Sequence, residues 1–272
     1  MVDTLVPAIL QVVVYLGLLA LITRFLGIYM VQVFEGPRNF LSTFVRPVEN
    51  GIYRLFRIEP GRQQNWVAYA SAMLAFNVIG LLLTYLIMRI QQWLPLNPMN
   101  LGPTSDHLAF NTAVSFTTNT NWQSYVPETT VSYFTNMIGL APHNFTSAAT
   151  GIVLAVALIR GFARRETKAL GNFWVDLTRC TLYILLPISI VFAIVLLSQG
   201  VIQNFNSYET VQTVQGGTQT LAMGPVASQE AIKMLGTNGA ASSTQTAPTP
   251  SRTLTDLRTS WRCFPYSRLV QP

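Results

Sequence analysis

Four stretches of this chain are long and apolar enough to cross a bilayer, and nothing else in the sequence constrains its fold as strongly. A helix needs roughly 20 apolar residues to traverse the hydrocarbon core. Residues 5–33, 67–90, 131–162 and 173–197 each supply such a run. Arg24 interrupts the first, and Pro187 in the fourth implies a kink that neighbouring helices can accommodate. Only 10% of the 272 residues are charged, where a soluble domain carries about 25%. That deficit excludes a soluble domain. The first run follows Asp3 rather than a basic region and is too long for a signal peptide.

The net charge of +6 raises the question of nucleic acid, but the arginines fall in short clusters between apolar runs. Arg38, Arg46, Arg54, Arg57 and Arg62 separate runs one and two, while Arg164, Arg165 and Lys168 follow Arg160 between runs three and four. Residues 91–131 and 198–232 contain no Lys or Arg. Basic loops stay in the cytoplasm, so the N-terminus and both of these segments are expected outside. Arg89, near the outer end of run two, departs from the pattern and is expected to snorkel to the interface. No nucleic-acid partner is expected; the lipid bilayer is.

The outer segment between runs two and three carries the chemistry. Residues 107–117 are moderately apolar and about three helical turns long, too short to span. Thr118, Asn119, Thr120 and Asn121 follow, then Trp122, an aromatic suited to an interface. A dehydrated cation must find oxygens to replace its water shell. Potassium filters supply them as backbone carbonyls on an extended loop, with a short helix pointing its partially negative end at the ion. An ordinary polar outer loop has the same composition, and these residues alone leave both readings open. A weak repeat favours the filter. Aligned without gaps on Asn111–Asn121, the string Gln229–Gly239 sets Ala231 and Ile232 on Ala113 and Val114, and Thr237, Asn238 and Gly239 on Asn119, Thr120 and Asn121. Repeated helix–loop–helix units are one way for a single chain to build a pore.

The string Asn111-Thr-Ala-Val-Ser-Phe-Thr-Thr-Asn-Thr-Asn-Trp-Gln-Ser-Tyr125 resembles the first pore loop of the potassium-binding subunit family of Kdp potassium-transporting P-type ATPases. Met223-Gly-Pro-Val-Ala-Ser-Gln-Glu-Ala-Ile-Lys-Met-Leu-Gly-Thr-Asn-Gly239 resembles its second, and Leu94-Pro-Leu-Asn-Pro98, Glu128-Thr-Thr, Asn144-Phe and Gly171-Asn-Phe-Trp-Val-Asp176 agree as well. The resemblance covers residues 1–239. It implies an all-α polytopic membrane protein of the bacterial inner membrane, with potassium-channel-like helix–pore loop–helix repeats. Four repeats in ten spans form the whole family fold, so this chain is truncated in its second. The resemblance further implies that K+ from the periplasm binds a filter whose first quarter is Asn119, Thr120 and Asn121 and whose second is Thr237, Asn238 and Gly239. Thr118, Gln123 and Gly236 are lower-ranked neighbours. ATP and Mg2+ belong only to a partner P-type ATPase subunit, and two small accessory subunits complete the complex.

The chain accordingly divides into an extra helix at 1–34, a cytoplasmic basic loop at 35–65, a first repeat at 66–162, the start of a second at 163–239, and a tail at 240–272. The tail does not align. Joining the third codon base of each residue from Ala240 to the first two bases of the next permits the family's continuation as far as Leu254. Out-of-frame translation after Gly239 is therefore expected, and a chain so truncated would be inactive alone. The competing reading is a divergent, disordered tail rich in Ser, Thr and Pro.

Other residues are read structurally. Asp176 and Arg179 have the i, i+3 spacing of a salt bridge, and Arg24 is placed to snorkel or meet a subunit. Lys233 would repel a cation from the pore, so it is expected to turn away or to meet Glu230. His107 and His143 lack partners at metal-ligand spacing. Cys180 is a small packing residue, and Cys263 lies in the tail. The chain contains no Walker loop and no P-type phosphorylation motif, so it is expected to be a non-hydrolytic subunit. A stand-alone potassium channel or ion-coupled potassium transporter is the alternative; an intramembrane enzyme would need catalytic pairs within the spans that the sequence lacks.

Overall fold

The computed structural model describes residues 2–35, 39–121, 123–163, 169–212 and 217–238. Arg38, Trp122, Arg164, Arg165, Lys168, Gly239 and all of 240–272, with Cys263, lie outside the described residues. Helix α1 is Val2–Phe34, α2 is Ser42–Phe56 and α3 is Trp66–Ile90. A single turn, Gln91–Trp93, ends α3, and the chain turns back as α4, Asp106–Thr117. After α5, Pro127–Thr130, a π-helical turn at Thr135–Leu140 leads into α6, Ala141–Ala163. Helix α7, Phe173–Arg179, runs through a second π turn, Cys180–Leu185, into α8, Leu186–Ser198, and α9 is Val226–Leu235. Two antiparallel pairs complete the described chain: β1, Gln64–Asn65, with β2, Ala169–Gly171, and β3, Glu209–Gln212, with β4, Thr218–Leu221.

Ile9–Phe34, Trp66–Trp93, Thr135–Ala163 and Phe173–Ser198 are long and apolar enough to cross a membrane, and they are the four runs expected. Their exposed Leu, Ile and Val side chains have no aqueous role, whereas the packed core lies where α3, α6 and α7 converge on Tyr69, Val153, Phe173 and Cys180. Ala149 and Ala157 give α6 the small side chains that let helices approach closely when apolar burial cannot drive association. Each π turn ends two residues before a proline, Pro142 or Pro187. Proline has no N–H for the carbonyl four residues back. At Pro187 that carbonyl belongs to Tyr183, and the Tyr29 hydroxyl of α1 donates to it at 2.7 Å.

The arginine-rich end is held by buried ion pairs whose partners differ from the local expectation. Asp176 does not close on Arg179. Its carboxylate takes a two-pronged pair from Arg160, at 2.6 and 3.2 Å, and a hydrogen bond from the Tyr69 hydroxyl at 3.1 Å. Arg160 also reaches Glu35 at 2.8 Å. Gly171, at φ +118°, leaves the room: a Cβ there would stand 2.4 Å from Arg160 Nη1. Arg179 instead pairs with Glu49 at 3.0 Å, and the Tyr53 and Tyr183 hydroxyls donate to the same carboxylate at 2.8 and 2.6 Å. Glu49 belongs to α2, so residues 35–65 contain an ordered helix where the sequence reading has only a basic loop. Its amphipathic run contains Pro47 and Gly51, both poor helix formers, and is too short to register as a span.

At the opposite end, Arg89 does not simply snorkel. It pairs with Asp106 at 2.9 Å, across the start of α4. Fully buried Gln91 donates to the carbonyls of Gly102 and Thr130 at 2.6 and 2.8 Å, and accepts from Ser132 N and Thr135 Oγ1, both at 3.1 Å. This one amide fixes both flanks of the turned-back segment to the end of α3.

Candidate cation-binding site

Helix α4 starts where Ser105 caps it, its hydroxyl accepting from Leu108 N at 3.3 Å. Its Ala109 and Ala113 are fully buried against their surroundings, and α4 runs beside α3. The helix stops at Thr117, and the chain beyond it changes hand. Asn119 and Asn121 have φ of +60° and +52°, a region that asparagine tolerates better than most residues. Neither Thr118, at φ −88°, nor Thr120 shares it. All four N–H groups of 118–121 turn back to the last turn of α4. Thr118 N donates to Val114 O, Asn119 N to Phe116 O, and both Thr120 N and Asn121 N to Ser115 O, at 3.0 to 3.3 Å. Among the described residues, no donor reaches the carbonyl oxygens of 118–121. Backbone polar groups of this kind need a partner. A row of carbonyls beyond a helix C-terminus suits a cation.

Helix α9 repeats the arrangement. It lies beside α8 as α4 lies beside α3, and its Ala227 and Ala231 are as fully buried as Ala109 and Ala113. Thr237 N donates to Met234 O at 3.3 Å and Asn238 N to Lys233 O at 3.1 Å. These bonds match those of Asn119 and Thr120 link for link, in the register of the ungapped sequence alignment. Thr237 has φ +56°, as its counterpart Asn119 has +60°. A β-branched residue in that region is strained by roughly 1–3 kcal/mol, so the surrounding contacts must hold it there.

The two loops meet against α6. Asn119 Nδ2 donates to Gly236 O at 3.4 Å, and its Oδ1 accepts from Ser147 at 2.9 Å. The Asn238 carboxamide meets that of Asn119, the Ser147 hydroxyl at 3.3 Å and Asn121 Nδ2 at 2.9 Å. Asn121 Nδ2 lies 2.9 Å from Asn144 Oδ1. Gly236 is needed because a Cβ there would come 2.5 Å from Asn144 O. Asn121 and Asn238 are therefore buried behind the loops, whereas the Thr118, Thr120 and Thr237 side chains are exposed. Gln123 points elsewhere, donating to the Tyr125 hydroxyl at 3.2 Å, and burial pushes that phenol above its ordinary range. Gly239 lies outside the described residues. From sequence, Asn144 entered only as part of the Asn144-Phe string and Ser147 not at all; their one further signal was a pair of polar residues one turn apart within an apolar span.

Lys233 and Glu230 form the pair expected of them, 2.6 Å apart, with only 2% and 5% of their surfaces exposed. They occupy the positions of Ser115 and Thr112 in the first unit. Burial pushes the Glu230 carboxyl up and the Lys233 ammonium down. The pairing cancels a positive charge beneath the second loop that would otherwise repel a cation.

A family model described as "Potassium-transporting ATPase A subunit", KdpA, matches residues 13–248. The chain belongs to this family. A potassium-transporting ATPase potassium-binding subunit of Rhodospirillum centenum is 59% identical over 231 residues, covering 85% of this chain and 40% of that protein. Proteins of the same name from Solibacter usitatus and Acidobacterium capsulatum are each 54% identical, covering 85% of this chain and 41% and 42% of theirs. This KdpA-family chain thus spans about 40% of the length of the curated relatives it matches. Both loop units, the Asn144–Ser147 support behind them and the Glu230–Lys233 pair fall within the region that the family model covers.

Proposed function

We propose that Asn119, Thr120 and Asn121, and Thr237, Asn238 and Gly239, flanked by Thr118 and Gly236, are two quarters of a K+ filter, in a subunit that binds and moves potassium for an ATP-driven uptake pump. The observation that carries this reading is the backbone the two loops share among the described residues, with N–H groups turned back to the helix end, together with the carbonyl oxygens of 118–121, which no donor reaches there. K+ gives up its water only where several oxygens replace it together. Carbonyls held by N–H bonds on their far side cannot collapse when the ion leaves. Thr237 stands in the place of Asn119 yet is exposed, and in relatives more than twice as long a third loop would meet it.

In this reading the arginine-rich end faces the cytoplasm, the N-terminus and the loops face the periplasm, and the membrane is the bacterial inner membrane. The partner P-type ATPase subunit holds ATP and Mg2+, and two small subunits accompany it. The tail after Gly239 is read as out of frame; resequencing that yields a continuous frame to Pro272 would overturn that part alone.

The test uses the full-length subunit, in frame, assembled with its partners. Asn119→Ala and Gly236→Ala are compared with wild type for K+-stimulated ATP hydrolysis and for K+ uptake against Na+. Weaker K+ stimulation with poorer discrimination against Na+ is expected. Unchanged discrimination in both variants would sink the proposal.

A further inference from the structure

We propose that α2 is an in-plane anchor whose apolar face lies in the acyl boundary of the bilayer and whose arginine face binds anionic lipid headgroups. Three sides of this helix have three different environments. Val45, Glu49 and Tyr53 pack on the bundle, held by Arg179 and Tyr183. Phe44, Val48 and Leu55 lie on an adjoining face, 80%, 54% and 75% exposed. Arg46, Asn50 and Arg54 lie on the third face, centred more than a third of the way round the helix from these apolar residues, all exposed, and flank an open cleft that Ser42 and Thr43 also line. A helical period of 3.6 residues produces this division directly from the sequence.

The level of the helix identifies the occupant. The chain leaves α1 at Phe34, yet Phe40 packs on Tyr29, 5.5 Å between ring centres with the planes tilted by 42°, and both line an almost wholly apolar groove with Phe25 and Pro187. Tyr29 lies more than one helical turn inside the end of α1. The approach to α2 therefore descends to the depth of the apolar spans before the helix begins. A long apolar side chain such as Phe44 at that depth meets acyl chains. Guanidinium groups on the third face reach the headgroup layer, where each basic residue favours an anionic surface. The hydroxyls and the amide in the cleft are further donors for phosphate oxygens.

Spin labels at Phe44→Cys, Leu55→Cys and Asn50→Cys, in the full-length subunit assembled with its partners, test the placement. The vesicles contain phosphatidylethanolamine with phosphatidylglycerol, or phosphatidylcholine alone. Labels at 44 and 55 should collide more with dissolved oxygen than with an aqueous nickel complex, and the label at 50 should do the reverse. A second arm measures the preference for spin-labelled phosphatidylglycerol over phosphatidylcholine, which should fall about fivefold for each of Arg46→Gln and Arg54→Gln. Three labels equally open to the nickel complex would overturn the proposal. So would labels at 44 and 55 shielded from both reagents, which means a protein partner covers the face, or an unchanged lipid preference in both arginine variants. All five positions are exposed, so none of the substitutions disturbs the packed bundle.

Discussion

The carboxamide of Asn119 lies 3.4 Å from the backbone carbonyl of Gly236, and through that contact the first candidate loop braces the second. Asn119 thus has two duties: its backbone holds φ +60°, and its side chain crosses between loops. Substitutions separate them. Asn119→Gly keeps the backbone and loses the bridge; Asn119→Ala loses both, with a left-handed penalty of roughly 1–2 kcal/mol. In the assembled full-length subunit, Ala should impair K+ affinity more than Gly. Equal effects would show that the bridge alone matters.

Gly236 tolerates no side chain where its loop touches Asn144. Gly236→Ala should displace the second loop and lower K+-stimulated ATP hydrolysis at least tenfold, while the complex still assembles on size-exclusion chromatography.

The Glu230–Lys233 pair is buried, so removing one partner should cost more than removing both. Breaking such a pair costs about 3–5 kcal/mol, because one charge is left uncompensated. Glu230→Gln should lower the thermal midpoint of the complex in detergent, and Glu230→Leu with Lys233→Met should recover most of it. A double variant as unstable as the single one would contradict the assignment.

Gly171→Ala should loosen the arginine-rich end. Its methyl group would occupy the place of Arg160 Nη1 and push the guanidinium off Asp176, with a loss of about 3–5 kcal/mol. Hydrogen exchange should rise at α7 and the end of α6, leaving α4 unaffected.

Acid should release α2. Burial raises the Glu49 carboxyl, but hydrogen bonds from Tyr183, Tyr53 and Arg179 outweigh it, and the net shift is below the ordinary 4.5. A carboxyl depressed in the folded state contributes stability above its unfolded pKa and loses it as pH falls through the folded value. The thermal midpoint should therefore drop as pH falls below about 4.5, and Glu49→Gln should flatten that slope.

Much of this was written in local sequence. Apolar runs of sufficient length placed the four spans, a run too short to span placed α4, and the i, i+3 spacing offered Glu230 as one of two outcomes for Lys233. In each case the interaction lies within a few turns of one helix, where geometry follows from the helical period alone. The register of the two loops was likewise legible, because the weak repeat aligns Asn119 with Thr237 and Thr120 with Asn238 without a gap, and each short helix stops just before them.

Only the tertiary structure decided the partners that sequence separation hides. Asp176 and Arg179 have the right spacing for each other, yet a buried carboxylate takes the donor that best compensates its desolvation. For Asp176 that donor is Arg160 across the bundle, and for Arg179 the acceptor is Glu49, on a helix the charge pattern alone presented as loop. Asn144 and Ser147 likewise acquire their place behind the loops only when α6 packs there. Helical periodicity fixes which residues share a face; which faces meet depends on how whole helices fill space.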